Sequence, residues 1–119
     1  MSHATKTDLL APFEIWEVQL GNRTIKFFEP LLLTPCWLED DPDTPDDPPV
    51  VRREYLGAER PDLEIFANGT NRRELWNSIC SDIRSAWVHF VQPESPRLSR
   101  HGIRIKENYL RIAEEVDNE

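Results

Sequence analysis

Apolar positions in the first third of this chain recur at roughly every second residue, and in its last half at every third or fourth. The first pattern predicts strands and the second predicts helices. Phe13–Leu20 is rich in β-branched and aromatic residues, as a strand should be, although Ile15 and Trp16 are adjacent and face opposite ways. Gly21-Asn22 supplies residues that tolerate positive φ, as a two-residue hairpin turn requires. Residues 24–29 return as a second strand, and Pro30 ends or edges it because proline cannot donate a ladder hydrogen bond. Residues 31–38 are apolar but interrupted, and read as an irregular strand over part of the core. Residues 50–56 predict a third strand, 57–61 a turn, and 63–67 a fourth strand.

The helical period begins after Gly69. Asn71 and Glu74 have the spacing of an N-cap and its reciprocal partner. Leu75, Trp76, Ile79, Cys80, Ile83, Ala86, Trp87, Phe90 and Val91 then fall on about half of the wheel, and Pro93 and Pro96 end the helix. Of these, Trp76, Ile79, Ile83, Trp87 and Phe90 are the expected core. Ser99 is placed to cap a second helix reaching to about Val116, with Ile105, Tyr109, Ile112, Ala113 and Val116 on one face. Strands first and helices last predict one α+β domain over residues 1–119. The expected fold is a small antiparallel sheet of about four strands followed by two C-terminal helices packed on one face.

Charge changes this picture at one place. The net charge of −8 is concentrated: residues 39–49 carry six acids, four prolines and no base, while the segments on either side are each close to neutral. Such a run predicts a mobile acidic loop, and residues 1–11 read as a loose N-terminal arm. A near-neutral remainder argues against direct nucleic-acid binding. No apolar run approaches the ~20 residues of a membrane-spanning helix. No apolar stretch of signal-peptide type follows the N-terminus, so the expected location is cytoplasmic.

The chemistry-bearing residues are sparse. Three His and two Cys show no metal-ligand spacing, Gly numbers only four, and no phosphate-binding loop is present. The expectation is therefore no metal, no cofactor and no enzyme, with a minor hydrolase using Cys36 and one of His89 or His101 as the residual catalytic reading. Two charged features suggest binding instead. Glu39, Asp40, Asp41, Asp43, Asp46 and Asp47 form an acidic run suited to attracting a basic protein. Arg100, Arg104 and Arg111, with Glu107 among them, form the polar stripe of the second helix, and its arginines are suited to an anion or to a partner's carboxylates. Arg97 and Lys106 lie near its start, while Glu114, Glu115, Asp117 and Glu119 crowd its end, the reverse of what a helix dipole favours.

Residues 50–116 carry a strand at 62–67, Gly69, Asn71, Glu74, an amphipathic helix with Trp87, and the continuation Leu98-Ser99-Arg100-His101-Gly102-Ile103-Arg104-Ile105-Lys106. In these features the chain resembles small bacterial proteins related to the HicB-like antitoxins. The resemblance implies an antiparallel sheet with helices on one face and a non-enzymatic role, in which the domain occupies a small basic toxin protein. Two features depart from that pattern: Glu64-Ile65 stands where those proteins have a glycine, and no DNA-binding segment follows Val116. The leading expectation is a cytoplasmic protein-binding module, antitoxin-like, with a homodimer as the default assembly. The alternative is a small-ligand or anion sensor using the arginines of the second helix.

Overall fold

The computed structural model describes residues 9–39 and 54–118. Its fold is α+β, as expected, but with six strands in two antiparallel three-stranded sheets rather than about four in one. The elements are β1 (Phe13–Leu20), β2 (Arg23–Leu33), β3 (Cys36–Glu39), β4 (Glu54–Arg60), β5 (Ile65–Gly69), α1 (Arg72–Ala86), α2 (Arg100–Ile112) and β6 (Ala113–Asp117). The first sheet has the order β1-β2-β6 and the second β3-β4-β5. Thr34-Pro35 breaks the run between β2 and β3, and the chain passes there from one sheet to the other.

The β1–β2 hairpin closes on Leu20↔Arg23, so Gly21-Asn22 is the whole loop. Gly21 alone has positive φ (64°), the pattern of a type II′ turn, whose first central residue is glycine. Further along, the ladder loses register. Ile15 pairs with Leu31 and Glu17 with Lys26, so Trp16 alone stands opposite residues 27–30. Pro30 lies inside this irregular stretch rather than at the end of β2, where its missing N–H disturbs no ladder bond.

Three strand boundaries differ from expectation. The turn expected at 57–61 is the second half of β4, with Gly57 paired to Cys36 and to Asn68. Pro61–Leu63 is a 3₁₀ turn, and β5 starts only at Ile65. The helix expected to reach Val116 stops at Ile112, and Ala113–Asp117 pairs antiparallel with β2. Ala113 and Val116 fit a helical period, but the open edge of β2 offers them a ladder, and tertiary pairing overrides a short local pattern.

The start of α1 is as the sequence implies. The Asn71 side chain accepts from the Glu74 N–H at 2.9 Å, while Glu74 reaches back one residue further, to the Thr70 hydroxyl at 2.6 Å. Gly69 lets this first turn sit against the end of β5, because a Cβ there would lie 2.5 Å from the Leu75 nitrogen. After Ala86 the helix widens into a π turn over Trp87–Val91, closed by Gln92 N–H on the Trp87 carbonyl at 2.9 Å. Ser99 caps α2, its hydroxyl accepting from the Gly102 N–H at 3.1 Å.

One core unites both sheets and both helices. It contains Ile15, Val18 and Ile25 from the first sheet, Leu56, Ile65 and Ala67 from the second, and Ile79, Ile83, Trp87, Ile105 and Tyr109 from the helices. Trp76 and Phe90, also expected in the core, are only partly buried at its margin. Trp76 stacks on Phe13 with ring centroids 5.7 Å apart, and Arg72 covers the other part of that ring at 4.0 Å. Arg72 also donates to the carbonyls of Leu9 and Ala11 at 3.0 and 2.7 Å, which ties the chain just before β1 to α1.

Candidate functional site

The expected site residues separate into three places. Glu39 ends β3, opposite Glu54, and Asp40, Asp41, Asp43, Asp46 and Asp47 lie outside the described residues. Arg100 and Arg104 are exposed on the first turns of α2, where no described residue bonds to their guanidinium groups. Arg111 lies in the last turn, which a helix dipole favours for a cation. Of the acids expected beyond it on the same helix, Glu119 lies outside the described residues, and Glu114, Glu115 and Asp117 belong instead to β6. There Glu115 and Asp117 both hold Arg23 of β2, so the reversed-dipole reading of this end is corrected.

Glu115 is a structural clamp. Its carboxylate accepts from Gln92 Nε2 at 3.1 Å, from the Trp87 indole N–H at 2.8 Å and from Arg23. These donors, with Gln92 foremost, hold its carboxyl below the usual range against the opposing effect of burial. Tyr109 plays a similar part on the other side of α2. Its buried hydroxyl donates to the Leu63 carbonyl at 2.5 Å, and burial, helped by nearby carboxylates, pushes its pKa well above the ordinary phenol range, so it remains a donor.

The residual catalytic reading gains no geometry. Cys36 is exposed on β3, and neither imidazole bonds to it. His101 is paired with Glu64, and His89 Nδ1 lies 2.7 Å from the Ser85 carbonyl. A nitrogen that donates to that carbonyl cannot also take a proton from the Ser85 hydroxyl, 3.4 Å away. Burial pushes the pKa of the Cys80 thiol up, which keeps it protonated and inert. Among the described residues no cluster of His, Cys, Asp and Glu could hold a metal ion, and no helix is long and apolar enough to cross a membrane.

What the structure assembles, and the sequence did not announce, lies around the irregular stretch of β2. Trp16, Phe28 and Leu32 are 56, 57 and 59 % exposed, three large apolar side chains on the solvent side of the first sheet. The register makes them neighbours: Trp16 faces residues 27–30, and Leu32 pairs with Glu14 two positions from Trp16. Beside them opens a cleft of about 510 Å³ lined by Phe28, Leu32 and Ile112 together with Arg60, Arg111 and Glu29. Asp62 grips Arg60 through two bonds of 3.0 Å, and this pairing holds the Asp62 carboxyl below its usual range. Arg111 has no such partner among the described residues. Of the arginines in the expected stripe, Arg111 is the member that lines this cleft. Arg60 was missed because its segment read as a turn.

Compared with protein-family models, with curated proteins and with solved structures, the chain finds no match in any of the three.

Proposed function

We propose that this protein is a non-enzymatic protein-binding module and that the outer face of the first sheet around Trp16, Phe28 and Leu32 is its binding surface. The observation that carries this reading is the grouping of three large side chains, each more than half exposed, on one sheet face. Contiguous apolar surface rimmed by charge marks interaction sites in otherwise polar proteins, and aromatic and arginine side chains supply much of the energy of such contacts. Here the rim is Glu14, Glu17, Lys26 and Arg111. The antitoxin-like form of the proposal adds a small basic partner, drawn in by the acidic run from Glu39 to Asp47. That steering weakens as salt screens it. The intended location is the cytoplasm.

The test is a paired capture experiment from host lysate at low and high salt. Leu32→Asp disrupts the proposed surface, and Leu110→Asp alters an exposed leucine elsewhere, at 49 % exposure on α2. A partner retained by the wild type and by Leu110→Asp but lost by Leu32→Asp supports the surface. Equal retention by both variants rejects it. A band that proves to be the same chain assigns the face to a homodimer, which sedimentation of the purified protein would show independently.

A further inference from the structure

Beyond its pairing with β1, β2 is covered on its other edge over only part of its length, and β3, which follows it, takes a different partner. Residues 23–27 take β6, with Phe27 opposite Ala113, and β3, the continuation of β2, takes β4, with Cys36 opposite Gly57. Extending that second register by three residues would set Arg60, the last residue of β4, opposite Leu33. Between these two partners, residues 28–32 have no strand on that edge among the described residues. At ~3.3 Å per residue the gap is about 16 Å long. It coincides with the cleft described above, with Arg60 toward one end and Arg111 and Ile112 toward the other.

An unpaired stretch of strand edge is a template for an added strand. Direction and charge narrow the guest. Both flanking strands run antiparallel to the β2–β3 line, so an antiparallel guest continues the existing row. Such a guest enters beside Arg60 and ends beside Arg111. There β6 begins, and a guest continuing along the edge would collide with Ala113. A chain terminus therefore fits that end better than a passing segment. A C-terminal carboxylate placed there meets Arg111, whose guanidinium has no partner among the described residues. Glu29 lines the middle of the gap and disfavours an acidic guest residue at that point.

We infer that this gap receives the C-terminal strand of a protein partner, antiparallel to β2, with its terminal carboxylate on Arg111. The inference rests on the protein-binding reading above and specifies how the partner is held. Backbone pairing to residues 28–32, in which Pro30 can only accept, supplies the affinity, the exposed Phe28 and Leu32 receive alternate guest side chains, and Arg111 selects a free chain end.

The experiment is an NMR titration of the full ¹⁵N-labelled chain with the peptide acetyl-Thr-Val-Thr-Val-Val bearing a free C-terminal carboxylate. Its C-terminal amide and a version N-methylated at alternate residues are the controls. The expected result is a set of amide shifts centred on Phe28, Glu29, Leu31 and Leu32, on either side of Pro30. The amide should bind about 10- to 100-fold more weakly, as befits loss of a charge-assisted contact. N-methylation should abolish binding, and Arg111→Gln should erase the acid–amide difference. Equal binding of acid and amide, shifts located elsewhere, or no shift at millimolar peptide overturns the inference. If the peptide fails while Leu32→Asp still loses a captured partner, the binding surface stands and the strand-addition mode falls.

Discussion

At the scale of single residues, two side chains carry consequences that burial alone does not reveal. Glu64 follows the 3₁₀ turn with φ 56°, the left-handed region that costs a non-glycine residue ~1–2 kcal/mol. Glu64→Gly should stabilise the protein by about 1 kcal/mol. The loss of its exposed contact to His101 offsets only part of the relieved strain, and a urea midpoint lower than the wild type's would refute this. Glu115 predicts a pH dependence. Its folded carboxyl titrates below the ordinary value of 4.5, so its contribution is complete above that value and is lost as pH falls through the folded one. Glu115→Gln should be less stable than the wild type at neutral pH and lose less stability on acidification. Thermal melts at pH 7 and pH 3.5 would measure both, and parallel losses in the two proteins would show that another group governs the acid limb.

At the scale of elements, legibility followed the length of the periodic signal. α1 repeats its apolar face through four turns between a cap and two prolines, and the structure buries Leu75, Ile79, Ile83 and Trp87 on that face. Ile83→Ala should therefore cost ~2–5 kcal/mol, read from chemical denaturation, since the site is fully buried. β6 was illegible because five residues fit either period, and the edge of a strand far away in sequence decided between them. The candidate cleft was illegible for the same reason. It depends on where β4 stops and β6 starts, and neither boundary is written in a local pattern. Arg111 was readable as part of a charged stripe, but nothing local distinguishes it from Arg100 or Arg104. β5 shows how an edge is managed: Asp82 accepts from the Phe66 N–H at 2.9 Å and Ser78 from the Asn68 N–H at 3.2 Å. The helix thus occupies donors that would otherwise invite a foreign strand. The double variant Ser78→Ala, Asp82→Ala should cost about 1 kcal/mol or more and introduce concentration-dependent self-association. Sedimentation velocity that stays monomer-like at high concentration would count against this account of the edge.

At the scale of the molecule, two sheets share one kinked strand line, β2 into β3, and the helices knit them into one core. The gap on β2 is a product of that arrangement. One sheet twists away at Thr34-Pro35 before the other has been fully edged, and the two arginines mark where the flanking strands leave off. The acidic run belongs to this scale too, since the steering proposed for it is a matter of net charge. Removing residues 40–48 should leave the melting temperature nearly unchanged while slowing association with a basic partner at low salt. Unchanged association kinetics would strip the run of a steering role.

The pairing of β2 with β6 also sets a schedule for synthesis. Arg23 and Glu115 are 92 residues apart in sequence, so the first hairpin leaves the ribosome long before the strand that will cover it. At ordinary elongation rates of about 5–20 residues per second, that interval lasts on the order of 5–20 seconds. Throughout it the nascent chain presents the N-terminal half of β2 as an uncovered edge. The irregular register beside Trp16 bends the edge at its middle, and a bent edge is a poor seed for stacking with neighbouring nascent chains. The irregular stretch that borders the cleft in the finished protein thus guards the unfinished one on the polysome.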